Sequence, residues 1–140
     1  MAASIVQSAV GTRVSSVLNR DVKQFGKKFL FDNNEETCWN SDQGTPQWVS
    51  LELHAPHQCT ELHLQFQGGF ASKTCTVEGS LPGEQLKKLM DIYPQDDNTL
   101  QIFKFPAGCS ASSLKIIFAE STDFFGRITL YKLDILGTPS

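Results

Sequence analysis

From Leu30 to Leu53 the chain reads LFDNNEETCWNSDQGTPQWVSLEL, a polar turn that passes into an alternating strand. After Gln47 the apolar Trp48, Val49, Leu51 and Leu53 are set against Ser50, Glu52 and His54, the period of a strand with one wet face. Before it, Asp32, Asn33, Asn34 and Thr37 offer short side chains that hydrogen-bond nearby backbone and favour a compact turn. Trp39 and Trp48 beside this turn are expected to plug the end of a sandwich core. The alternation returns downstream. Leu62, Leu64 and Phe66 alternate with His63, Gln65 and Gln67, and Leu114, Ile116 and Phe118 with Lys115, Ile117 and Ala119. Pro56 in APHQCT is expected to mark a turn between two strands, and QGGF at 67 to 70 closes the next one with glycines that can take positive φ. In the closing RITLYKLDILG the apolar phase shifts from Ile128 and Leu130 to Tyr131, Leu133 and Ile135, which predicts a bulge or burial on both faces. Residues 84 to 93, EQLKKLMDIY, fit a helical face locally, but the surrounding run of short strands and Gly, Pro and Asn turns favours a strand. The expectation is an all-β, antiparallel jelly-roll sandwich of about eight strands.

Length and composition narrow the class. A chain of 140 residues is expected to form one domain over 1–140, with short loose tails at 1–7 and 138–140. No apolar stretch approaches the ~20 residues a membrane-spanning helix needs, and the start lacks a basic-then-apolar secretory pattern, so an intracellular protein without a membrane partner is expected. Cys38, Cys59, Cys75 and Cys109 match no zinc or redox spacing and read as reduced thiols behaving as small hydrophobes. A net charge of −3 argues against direct nucleic-acid binding, which needs a concentrated basic face.

Candidate chemistry is sparse. His54, His57, Cys59 and His63 are zinc-ligand types in no established ligand spacing, and the pairs Glu35/Glu36 and Asp96/Asp97 lack the apolar surroundings that would raise one carboxyl toward neutrality. No nucleophile elbow, phosphate loop or helix-borne His/Glu motif is present, so neither catalysis nor a cofactor is expected. Three segments mix aromatic and basic residues and are read as the partner surface. NRDVKQFGKK carries Arg20, Lys23, Lys27 and Lys28 around Phe25; QGGFASK, which opens with Gln67, carries Phe70 and Lys73; ESTDFFGR carries Phe124, Phe125 and Arg127. Phenylalanine supplies area and arginine forked donors, the chemistry of interface hot spots. The competing reading is that Phe25 and one of Phe124 or Phe125 tuck inward as core plugs.

The succession FDNNEETCW, QWVSLEL, LHLQFQGG, EGS, LKIIF and LDILG resembles the discoidin, or coagulation-factor C-type, domain of the galactose-binding-like superfamily, over nearly the whole chain. SSVLNR, QFGKK, LFD, EETCWNSDQG, FQGGF and TDFFGR further resemble a family of small nuclear proteins that associate with an orphan nuclear receptor. The resemblance implies a non-enzymatic protein that binds an orphan nuclear receptor and represses receptor-driven transcription in the nucleus, with the cytoplasm as a second compartment it leaves open. The alternative it leaves open is a module binding a sugar or an anionic lipid through the same loops. Secreted discoidin domains tie their chain ends with a disulfide, for which no cysteines are placed here. Many sugar-binding relatives hold calcium with turn oxygens, matched by Asp32, Asn34 and Thr37, plus a carboxylate on the last strand, where this sequence has Lys132. No metal is therefore expected.

Overall fold

The computed structural model describes residues 2–140. Among them are nine strands: β1 (Ala3–Ser4), β2 (Ala9–Val14), β3 (Trp39–Asn40), β4 (Gln47–Phe66), β5 (Cys75–Ser80), β6 (Lys87–Ile92), β7 (Leu100–Lys104), β8 (Ser110–Phe118) and β9 (Thr129–Pro139). One short helix, α1 (Val22–Phe25), lies among 3-10 turns at Leu18–Arg20 and Lys27–Leu30. All pairings are antiparallel. The first part of β4 lies between β2 and β8, and the sheet continues through β5 to β6. Its second part lies between β9 and β7, and β9 also carries β1 and β3. The two sheets of the jelly-roll sandwich thus share one long strand.

This sharing explains why Pro56 does not end a strand. β4 runs through it without interruption for 20 residues. Its register on β8 breaks between Glu52 and His57, as its pairing passes to β9. A proline costs no ladder bond at such a corner, because its missing N–H falls where regular pairing lapses. The phase shift near the C-terminus is a bulge: Gln65 faces Lys132 and Phe66 faces Leu130, leaving Tyr131 as the extra residue. Residues 87–92 are a strand, paired with β5. The tails, expected to be loose, are not: Ala3 and Ser4 pair with β9, Ile5 and Val6 are buried, and Thr138 and Pro139 pair with β4. Met1 lies outside the described residues.

Alternating side chains from both sheets meet in one core. Trp39 is fully buried, its ring centroid 6.1 Å from that of Phe118, which meets Phe66 edge-on at 5.9 Å. Trp48 does not plug the core. It shares the outward parity of Ser50 and Glu52, between the buried Gln47 and Val49, and is only half-buried, with the Lys115 ammonium over its ring at 4.8 Å. Cys59 and Cys75 are buried, and desolvation pushes each thiol up to about 12. Under native conditions a thiol reagent should therefore reach the half-buried Cys38 first, and denaturation without reductant should release four thiols in all. Finding two would contradict this.

Candidate functional site

At one end of the sandwich three loops, 41–46, 67–74 and 119–128, are stitched together by backbone. Thr129 N–H donates to Phe70 O (3.0 Å), Gln67 N–H to Thr129 O (2.9 Å) and Thr122 N–H to Ala71 O (2.8 Å), while Thr122 Oγ1 accepts from Ala71 N–H (3.0 Å). The loop 41–46 is tied in as well. Ser41 N–H donates to Ile128 O, Ser41 Oγ accepts from Ile128 N–H, each at 2.8 Å, and Gly44 N–H donates to Phe125 O at 2.9 Å. Behind it the buried Gln47 amide donates to Gly44 O (2.7 Å) and Asp42 O (3.1 Å) and accepts from Ser16 Oγ (2.8 Å). Gly126 has φ of +83°, and a Cβ there would sit 2.8 Å from Gly44 N. Only glycine allows the two loops to approach this closely.

This brace presents an aromatic and cationic cluster. Arg127 holds Asp123 with two forked bonds, Nε to Oδ2 at 2.9 Å and Nη2 to Oδ1 at 3.2 Å. Its guanidinium lies 5.1 Å from the Phe70 ring centroid and 5.7 Å from that of Phe125. Phe125 meets Phe124 edge-on at 5.2 Å, and Phe124 projects with 93% of its surface exposed. Neither of this pair is a core plug. A protein rarely leaves two adjacent phenylalanines in water on a fixed loop unless something covers them.

The structure therefore brings together four of the residues singled out from sequence, Phe70, Phe124, Phe125 and Arg127. Gln67 contributes backbone to the stitching, and Lys73 is exposed on the same loop. Arg20, exposed with φ of +56°, and the half-buried Phe25 lie instead on the helical segment 18–30, and none of the stitching bonds reaches them. Sequence reading missed Asp123, although its place four residues before Arg127 is the available signal, and the outward parity of Trp48. The Arg127 hydrogen bonds hold the Asp123 carboxyl below its ordinary range, against a smaller opposing effect of desolvation. A carboxyl lowered on folding stabilises fully above its unfolded pKa, about 3.9, and loses that contribution as pH falls through the folded value. The protection of amides 121–128, taken relative to their intrinsic exchange rates, should thus fall below about pH 4, and Asp123→Asn should produce the same loss of protection at pH 7. Unchanged exchange in the variant would remove the clamp from the account.

A calcium cage does not fit. Asp32 Oδ1 and Oδ2 accept from Asn34 N–H (3.0 Å) and the Thr37 hydroxyl, and Asn34 Oδ1 accepts from Glu36 N–H (2.9 Å), so the turn consumes its own oxygens. Lys132 lines the same cleft as Asn33, Asn34 and Glu35, so the last strand brings a cation to it and Glu35 is the cleft's one carboxylate, fewer than a calcium cage draws on.

The F5/8 type C domain family model matches residues 12–130. Nuclear receptor 2C2-associated protein of Danio rerio is 58% identical, over 98% of this chain and 97% of that protein. Its Homo sapiens counterpart is 51% identical over 98% of each chain. Among solved structures, an F5/8 type C domain from Bacteroides fragilis superposes with a TM-score of 0.82 at 12% identity, covering 99% of this chain and 98% of that one. The family 32 carbohydrate-binding module of Clostridium perfringens NanJ, in complex with galactose, gives 0.80 at 15% identity, covering 97% and 99%. These structural likenesses are of fold.

Proposed function

The chain belongs to the F5/8 type C domain family, and from that premise we propose that it is a non-catalytic nuclear module that binds an orphan nuclear receptor and restrains receptor-driven transcription. The observation that carries the reading is the braced pair Phe124 and Phe125, facing water with the Arg127 guanidinium 5.7 Å from the Phe125 ring centroid. Such a patch suits a protein partner: the rings supply apolar area, and the loops are already ordered, so association loses little conformational entropy. The names of relatives 51–58% identical over 98% of the chain support receptor nuclear receptor 2C2 as that partner. A second reading, a sugar or anionic-lipid site on the same loops, draws on the galactose-bound neighbour. Against an anionic ligand, the Arg127 charge is already offset by the Asp123 carboxylate it holds.

Titration of the purified chain against purified nuclear receptor 2C2 should give saturable binding that galactose does not displace. Co-expression should lower output from a receptor-driven reporter. Absent binding, or displacement by galactose, would transfer the loops to the sugar reading.

A further inference from the structure

A groove away from the loop cluster has no role in the reading above. It encloses about 510 Å³ between the segment 22–28 and the β2 edge of the β2–β4 pair, and Val14, Val17, Val22 and Trp48 give it an apolar lining. Its other side chains are Arg13, Lys23, Lys27 and Lys28, with no carboxylate among them. That is a third of the chain's 12 lysines and arginines gathered at one place on a protein of net charge −3. Among the described residues no ion pair takes up any of these four cations. Lys27 is held by donating to Thr12 O at 2.5 Å, and the Lys28 ammonium lies 5.0 Å from the Phe29 ring centroid, so Arg13, Lys23 and Lys28 carry charge that no carboxylate neutralises. The groove is shaped by Gly26, where a Cβ would meet Val22 O at 2.5 Å.

We propose that this groove docks an acidic amphipathic peptide segment, apolar side chains resting on Val17, Val22 and Trp48 and carboxylates facing Arg13, Lys23 and Lys28. Apolar side chains gain from leaving water, and carboxylates at the rim gain attraction from cations that no carboxylate of the chain neutralises. Burying Val22, now 60% exposed, supplies part of the first term. A bilayer is the poorer match, because it takes up protruding apolar groups, whereas here the indole lines a recess; the protruding ring, Phe124, is not among the groove's residues.

The test is fluorescence anisotropy with a labelled synthetic helix carrying leucines on one face and glutamates on the other, beside its counterpart with lysine for glutamate. The acidic peptide should bind saturably and more weakly as salt rises, and the basic one should not bind. Lys23→Glu with Lys28→Glu should weaken binding by more than about tenfold, and Val22→Asp similarly; these side chains are exposed, so melting should be unchanged. Binding should also blue-shift tryptophan emission in the parent but not in Trp48→Phe. Phe124→Ser with Phe125→Ser should leave peptide affinity intact, which separates this groove from the loop site. The proposal is overturned if the acidic peptide fails to bind, if charge reversal leaves its affinity unchanged, or if phosphatidylserine vesicles bind through Val22 and the lysines while the peptide does not.

Discussion

Trp39→Ala should destabilise the protein by about 3–5 kcal/mol and lower its melting temperature by on the order of 10 °C, whereas Trp48→Ala should cost no more than about 1–2 kcal/mol. Trp39 is completely enclosed against Phe118 and Leu130's strand, and its indole N–H donates to Ser16 O at 2.9 Å. Removing it opens a cavity between the sheets and leaves that carbonyl without its partner. Trp48 packs on one strand's outer side, in contact with Lys115 and the groove. Truncating it exposes little that was dry. Calorimetry on both variants checks the contrast, and equal losses would mean that the two rings share the core after all.

The strand order could be followed in the sequence wherever burial is one-sided. Leu62, Leu64 and Phe66 all point inward, as do Leu114, Ile116 and Phe118, because a strand with one wet face must alternate. Trp48 misled because an apolar residue at an outward position is locally indistinguishable from one that begins the inward row. Its parity with Ser50 and Glu52 was the better guide. Pro56 misled for another reason: a proline between two strands and a proline at the corner of one strand that changes sheets have the same local signature. The tails at 2–7 and 138–140 look dispensable in composition, yet they are held by partners more than a hundred residues away or on the middle of β4. The same holds for the loop cluster. Its aromatic and basic residues were visible, but the bond between Ser41 and Ile128 joins positions 87 apart, and only the folded chain makes it. That brace separates Phe124, Phe125, Phe70 and Arg127 from Arg20 and Phe25, which the sequence grouped with them.

The central claim is that the loop phenylalanines form the contact with the receptor. Phe124 is almost wholly exposed and Phe125 more than half, so replacing both by serine should leave circular dichroism and melting as in the parent. At the centre of an interface each ring typically contributes ~2 kcal/mol or more, and losing both should therefore weaken binding by well over tenfold. Because the loops are held in place by backbone bonds and by the Asp123–Arg127 clamp, the loss should appear mainly as faster dissociation. The decisive measurement is the affinity of purified nuclear receptor 2C2 for the folded Phe124→Ser, Phe125→Ser variant beside the parent. A more than tenfold weakening is the predicted result, and a folded variant that binds as tightly as the parent would contradict it.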